Sequence, residues 1–379
     1  MKLWTDSSYP IILSCAKCLA PWVKREVCEL GYEPIDEAEN IVVVKGSMRD
    51  VLKLNLRLRT AHRVLVPLLR ARCRHVRELY ELVASIDWEN LIDADGYFSV
   101  SSIVHNDTVR DTRLPSLVTK DAIADRMRTR CGTRPDSGPD YDRGAAVFLH
   151  WERDRMIIYL DTSGAPLSKR GYRKIPGSAP MQETLAAACI SAMKWDRKTP
   201  FVSPMCGSGT IPIEAAMIAN NIAPSLGRSF AAEQWTFVEP AVFARAREEA
   251  NDARRNDKLQ IVGSDIDPHC IDLCKKHAKK AGVMLDWKVR DVKELATDLH
   301  NGVLICNPPY GERLSDAKSV KALYRTMQNV FARIPDWQGN VITSNREFEQ
   351  LYGKPADRRR KLSNGGMVCT LYQYNPVRK

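Results

Sequence analysis

The chain reads as an α/β protein. Its C-terminal half is a doubly wound, Rossmann-like sheet, preceded by two smaller α/β units. Three observations predict this. The stretch Phe201 to Thr210 opens as a short strand and passes into a glycine loop, and Ile211 to Ala219 follows it as a helix. Two further strands, Leu259 to Pro268 and Leu285 to Asp291, end in carboxylates, and a fourth, Gly302 to Cys306, leads to Asn307. Residues 11 to 60 alternate strand, helix, strand and helix, which suggests a ferredoxin-like unit.

The elements follow from local pattern. Ile11-Ile12-Leu13 and Ile41-Val42-Val43-Val44 are apolar β-branched runs, separated by the helical stretch Ala20 to Leu30 and followed by Met48 to Arg59. From about 60 to 165 short elements alternate: Val64 to Leu69, the helix Val76 to Ser85, Tyr97 to Val100, the helix Val118 to Arg130, Ala146 to Trp151, and Met156 to Asp161. Gly132 to Gly144, rich in Gly, Pro, Asp and Ser, reads as a loop. Beyond the glycine loop come the basic helix Pro268 to Ala281, the helix Val320 to Ile334, the strand Asn340 to Thr343, and a hairpin ending at Met367 to Tyr374. The expected domains are 1–60, 61–165, a linker at 166–180, and 181–379. With 379 residues and 44% apolar content, two to three domains with real cores are expected.

The glycine loop points to a ligand. Gly207 and Gly209 let the backbone take positive φ and approach a bound molecule closely. Such a loop lies at the carboxyl ends of the strands, where doubly wound sheets bind their ligands. It is neither Gly-x-Gly-x-x-Gly nor a phosphate loop, since no Gly-Lys-Ser/Thr follows. Asp265, at the end of the next strand, can accept both ribose hydroxyls of a nucleoside cofactor. Asp291, at the end of the third, can accept from an adenine amino group. Each acid also suits a helix cap, and Asp267 before Pro268 is read as one.

Asn307-Pro308-Pro309-Tyr310 suits one chemical problem, methyl transfer to an exocyclic amine of a nucleobase. The lone pair of that nitrogen is delocalised into the ring. Two acceptors must hold its two N–H groups and aim the lone pair at an electrophilic carbon. The Asn307 side-chain oxygen can be one, and the Pro308 carbonyl, held outward by two prolines, the other. Tyr310 offers a flat face for stacking.

Several motifs carry a likeness to a known family. They are Lys169-Arg170-Gly171-Tyr172-Arg173, Ala179 to Ala187, Met205 to Thr210, Asn307 to Arg313, and the tail Arg359-Arg360-Lys361 through Met367 to Tyr374. Residues 181 to 374 resemble class I S-adenosylmethionine-dependent methyltransferases. The closer resemblance, over nearly the whole chain, is to THUMP-domain RNA methyltransferases, and within them to the bacterial enzymes that methylate guanine N2 in 23S ribosomal RNA. The resemblance implies that residues 61–165 are a THUMP domain. Residues and resemblance together give a cofactor set of Ser203, Met205, Cys206, Gly207, Gly209, Thr210, Asp265, Ile266, Asp291 and Val292 for S-adenosylmethionine. Asn307, Pro308 and Tyr310 form the catalytic set. Lys169, Arg170, Tyr172, Arg173, Arg313, Arg359, Arg360 and Lys361 are expected to touch RNA. Where that family usually has Asp, this chain has Ser203.

The net charge of +11 suits a polyanionic partner, 23S ribosomal RNA or a large-subunit precursor. No acid lies between Asp50 and Glu78, whereas Arg57, Arg59, Arg63, Arg70, Arg72, Arg74 and Arg77 do. Lys120, Arg126, Arg128, Arg130 and Arg134 form a second cluster, and Arg358 to Lys361 a third. Arginine suits bidentate phosphate contacts and stacking on bases. No apolar run approaches the ~20 residues needed to span a bilayer, and Met1 to Asp6 does not read as a signal peptide. A cytoplasmic protein is expected, its eleven cysteines reduced. No protein partner and no metal are implied. Cys15 and Cys18 lack a second ligand pair, and Cys270, Cys274 and His277 share one helix face but read as packing groups. Cys206 reads as a small apolar residue. Two other functions fit the same features: an adenine-N6 methyltransferase on RNA or DNA, and a non-catalytic RNA-binding assembly factor.

Overall fold

The computed structural model describes residues 7–141, 143–173, 181–309 and 317–376. The chain divides into two compact units. One comprises Met1–Cys15, Val27–Leu167 and Arg228–Ala250, and the other Ala16–Glu26, Ser168–Gly227 and Asn251–Lys379. Two segments, 16–26 and 228–250, group away from their sequence neighbours.

The N-terminal elements are β1 (Tyr9–Ser14), α1 (Ala20–Glu29), β2 (Pro34–Ala38), β3 (Ile41–Gly46), α2 (Met48–Arg57), β4 (Arg63–Arg72), α3 (Val76–Ala84), β5 (Tyr97–His105), α4 (Leu114–Cys131), β6 (Asp136–Ser137), β7 (Ala145–Glu152) and β8 (Arg155–Asp161). They form one eight-stranded sheet, ordered β2-β3-β1-β4-β8-β7-β5-β6. β4 pairs antiparallel with both β1 and β8, so the sheet runs unbroken across the expected boundary at residue 60. β4 starts as a core strand, with Val64, Leu65 and Val66 buried, and ends exposed at Arg70 and Arg72. β2 went unrecognised because Pro34-Ile35-Asp36-Glu37-Ala38 is polar and opens on proline. It is an edge strand, where a missing N–H is tolerated. β6 lies within the expected loop 132–144. The buried amide of Asn55 on α2 ties this unit together. Its Nδ2 donates to Thr162 Oγ1 at 2.7 Å, and its Oδ1 accepts from Ser163 Oγ at 2.6 Å.

Next come α5 (Glu183–Ala192), β9 (Phe201–Pro204), α6 (Thr210–Ala219), α7 (Pro240–Asp252), β10 (Ile261–Asp265), α8 (Pro268–Ala281), β11 (Asp286–Val289), β12 (Val303–Cys306), α9 (Ala317–Phe331), β13 (Gln338–Thr343), α10 (Phe348–Tyr352), β14 (Arg358–Asn364) and β15 (Met367–Tyr374). Sequence reasoning missed α7, most of which groups with the first unit. The second unit holds a seven-stranded sheet ordered β11-β10-β9-β12-β13-β15-β14. The first five strands in that order are parallel, and β15 and β14 are antiparallel to their neighbours. β9 and β12 are buried throughout, as strands covered on both faces must be. The chain steps outward from β9 to β10 to β11, then returns to lay β12 on the other side of β9. That reversal opens a crevice at the carboxyl ends of β9 and β12.

Gly263 in β10 lies under the Trp287 ring of β11, where an added Cβ would collide with the indole. Gly263→Ala is therefore expected to cost about 1–3 kcal/mol through overpacking, read as a lower urea midpoint at unchanged slope.

Candidate active site

The loop from Met205 to Gly209 is fixed by side chains and backbone of two elements, β10 and α8. Met205, directly after β9, has φ +52°, which is strained for a residue with a side chain. The Cys206 N–H donates to the Ser264 carbonyl at 3.0 Å and the Gly207 N–H to Asp265 Oδ2 at 2.9 Å. From α8, Cys274 Sγ donates to the Gly207 carbonyl at 3.1 Å, and His277 Nδ1 meets the Ser208 carbonyl at 3.0 Å. A carbonyl only accepts, so His277 carries its proton on Nδ1 here. The face shared by Cys274 and His277 thus holds the loop, a role their spacing did not reveal. Cys206 Sγ lies 3.8 Å from Cys274 Sγ. This contact, followed by burial, pushes the Cys206 thiol well up, and burial pushes Cys270 up to about 11. Gly209 has φ +83°, and a Cβ there would meet both Cys274 and the Trp287 ring at 2.9 Å. Gly207 has φ +54°, and among the described residues nothing lies within 4 Å of where a Cβ would stand, so a ligand can approach this backbone.

Asp265 ends β10 and accepts the backbone N–H groups of Gly207 and Asp267, the latter at 3.1 Å. It anchors the loop in addition to any contact with a ribose. Asp267 caps α8 by accepting the His269 N–H at 2.8 Å. Ile266 between them is 66% exposed, an apolar surface facing solvent beside the loop's anchor. Asp291 accepts the Lys293 N–H at 3.0 Å, and this bond, then the Lys293 ammonium, holds its carboxyl below the usual range. Val292 beside it is buried. Ser203 is fully buried within β9, and its Oγ has no hydrogen-bond partner among the described residues. Asn307 is half-buried at the end of β12, Pro308 buried and Pro309 exposed. The Tyr324 hydroxyl donates to the Pro309 carbonyl at 3.4 Å. Tyr310 and Arg313 lie outside the described residues.

The expected RNA contacts divide sharply. Lys169 and Lys361 are exposed, and Arg359 is engaged by Glu349 through two bonds of 2.7 Å. Arg360 Nε donates to Gln373 at 3.0 Å, and its guanidinium sits 5.2 Å over the Trp22 ring. Arg170 and Tyr172 are corrected by the structure. They are 2% and 3% exposed, directed at the buried Glu214, and present nothing to a solvent-borne RNA. Arg173 is largely buried as well, with Nη2 3.1 Å from Glu183. A lone acid, Glu214, in the apolar run Ile211 to Ala219 was the signal that a buried cation must lie opposite. Within the Arg126 cluster, Arg126 itself is a structural pin that bonds Asp87 and Glu89. Arg70, Arg72 and Arg155 are exposed, and Arg72 pairs in register with Arg155.

Burial pushes the Glu183 carboxyl up to about 7, outweighing the nearby Arg173. A raised folded-state value means the group's contribution is fully present below its ordinary value of 4.5 and is lost as pH rises through about 7. Relative to Glu183→Gln, the parent chain should therefore lose roughly 2–3 kcal/mol of stability between those limits. Paired denaturant melts at pH 4.5 and pH 8 would measure this.

An open backbone at Gly207, acids at two strand ends and an exposed apolar Ile266 between cap and anchor fit a nucleoside-bearing cofactor. Comparison with known proteins agrees. The RMKL-like methyltransferase domain matches residues 170–373, the RlmL ferredoxin-like domain residues 10–65, and the THUMP domain residues 73–161. YpsC of Bacillus subtilis is 36% identical over 97% of this chain and 96% of its own length. The ribosomal RNA large subunit methyltransferase K/L of Psychromonas ingrahamii is 35% identical over 95% of this chain, which spans about half, 49%, of that protein. SMU.472, whose crystal structure is complexed with SAH, superposes with a TM-score of 0.90 at 34% identity, covering 99% of this chain and 100% of its own. A Listeria monocytogenes protein described as a predicted N6-adenine-specific DNA methylase gives 0.89 at 36% identity, over 98% and 97%. From these matches, over the sheet and loop just described, the chain belongs to the RMKL-like methyltransferase family and carries a THUMP domain.

Proposed function

We propose that this protein methylates the exocyclic N2 amine of a guanine in 23S ribosomal RNA, presented as a flipped base. One observation carries the reading: the Asn307-Pro308-Pro309 segment leaves β12 next to β9, the strand that leads into the Met205–Gly209 loop. Amine-orienting acceptors and a cofactor loop thus leave adjacent strands at the same end of the sheet. The THUMP match and the K/L relatives support RNA, and specifically large-subunit ribosomal RNA, as substrate. No helix among the described residues is long and apolar enough to cross a membrane. The reading places the work in the cytoplasm, beside nascent ribosomal RNA.

S-adenosylmethionine supplies an electrophilic methyl on a positive sulfonium. Residues 205–210, Asp265 with Ile266, and Asp291 with Val292 would hold it, with Ser203 in the strand beneath. Asn307 and the Pro308 carbonyl accept the two amine N–H groups and turn the nitrogen lone pair toward the crevice, while Tyr310 supplies a stacking face. Proximity and orientation then do most of the work, so no strong general base is needed and the proton leaves to water. Extraction of the base from its stack costs a few kcal/mol. Exposed cations, Arg70, Arg72 and Arg155 on the eight-stranded sheet and Lys169 and Lys361 on the second unit, would grip phosphates.

Asn307→Ala should remove about 2–4 kcal/mol of transition-state stabilisation, by analogy with a lost oxyanion donor. Cofactor affinity by calorimetry should barely move. Near-normal turnover at saturating RNA would end this assignment. The Listeria likeness favours adenine N6 as the second reading. Methyl incorporation into guanine-only against adenine-only RNA separates the two, and methyl mapping on 23S RNA from cells lacking the gene would identify the nucleotide. In the full chain, Arg70→Glu with Arg72→Glu should weaken RNA binding and flatten the plot of log K against log salt. The slope should fall by ~0.7–0.9 for each phosphate that is no longer neutralised, and an unchanged slope would remove this surface from the RNA path.

A further inference from the structure

Behind the cofactor loop lies a set of buried charges that the reaction does not use. The Arg170 and Glu214 side chains are both 0% exposed, with Arg170 Nε 3.4 Å from Glu214 Oε1. The Tyr172 hydroxyl donates to the same oxygen at 3.2 Å, and Glu214 Oε2 has no partner among the described residues. Arg173 forks in three directions: Nη1 donates to Thr210 Oγ1 and to the Met181 carbonyl, each at 3.2 Å, and Nη2 to Glu183 Oε2 at 3.1 Å. Thr210 and Glu214 stand four apart on α6, so both lie on one helix face, and residues 170–173 meet that face along its first turn. On the other side of the loop, Cys274 and His277 hold the carbonyls of Gly207 and Ser208. The Tyr172 ring lies 6.4 Å from the His277 ring, so the two supports meet.

Charges this deep are expensive to bury, and apolar residues of similar volume would fill the same space at lower cost. A planar guanidinium fork does what an apolar filler cannot, because it sets three acceptors at defined angles. We propose that residues 170–173 form a positioning element for the methyl donor. In this arrangement Arg173, through Thr210, and the Arg170–Tyr172 pair, through Glu214, fix the first turn of α6 and with it the backbone of residues 205–210. The inference rests on the assignment of that loop to S-adenosylmethionine. It gives the pentad Lys169 to Arg173 a role in cofactor affinity rather than in RNA contact, with only Lys169 left at the surface.

The test uses the full chain, with S-adenosylmethionine and S-adenosylhomocysteine as calorimetric probes and substrate RNA measured separately. Arg173→Met keeps the apolar stem and removes the fork. Loss of charge-assisted bonds should weaken both probes by about tenfold or more and raise KM for the donor equally. At saturating donor, kcat should stay close to the parent value, and RNA affinity should not change. Arg173→Lys should recover part of the loss, since an ammonium keeps the charge but not the planar fork. Thr210→Val combined with Arg173→Met should be no worse than the more damaging single change. If Arg173→Met does not fold, the comparison of Arg173→Lys with Thr210→Val carries the same test. Asp265→Ala is the reference for the site itself. Weakened binding in Asp265→Ala with unchanged binding in Arg173→Met overturns the positioning role. Loss of RNA affinity at unchanged donor affinity restores the surface reading and also overturns it. Unchanged donor binding in both variants removes the loop assignment, and the inference falls with it.

Discussion

The reversal of strand order between β9 and β12 is the constraint on which the candidate site depends. Parallel strands joined through helices place all their strand-to-helix loops at one end of the sheet. Because β12 returns to the opposite side of β9, the loop after β9 and the Asn307 turn diverge from a common crevice, although about a hundred residues of chain separate them. The flanking strands then add Asp265 and Asp291 at the same level. Small residues maintain the spacing. Gly263 admits the Trp287 ring and Gly302 the Trp337 ring, so bulky aromatics pack flat against strands that a methyl group would push away.

Within this frame the loop is held by many partners. Its amides and carbonyls are taken by Ser264, Asp265, Cys274 and His277, and the helix that follows is gripped by Arg173 and the Arg170–Glu214 pair. A loop ordered before its ligand arrives loses little conformational entropy on binding. The positive φ of Met205 has the same origin, as strain that persists because the surrounding bonds over-determine it.

Arginine serves two opposite purposes in this chain. At Arg70, Arg72 and Arg155 it is exposed, Arg72 with only the half-exposed Asp154 as ion-pair partner among the described residues, at 4.0 Å. At Arg63, Arg126, Arg170 and Arg173 the same side chain is an internal fastener, bonded to Asp161, to Asp87 and Glu89, to Glu214 and to Glu183. The tally of 57 lysines and arginines therefore overstates the cationic surface. Paired guanidinium groups contribute to the count but little to the field outside.

The local sequence alone determined the fold class and the outline of the site. An apolar run followed by glycine or proline marks the end of a strand wherever it falls, so the loop at 205–210, the acids 265 and 291, and Asn307 were legible from neighbours within about ten residues. The edge strand β2 and the helix α7 were not, because a polar strand on an edge and an alanine- and charge-rich helix carry weak periodicity. What only the tertiary structure decided was which charged side chains face water. Lys169 to Arg173 has the composition of an RNA grip, and nothing within the pentad distinguishes an arginine over phosphate from one over a buried carboxylate. The partner that settles it, Glu214, is more than forty residues away on a helix otherwise apolar in its first turns, and only folding brings the two within hydrogen-bonding reach.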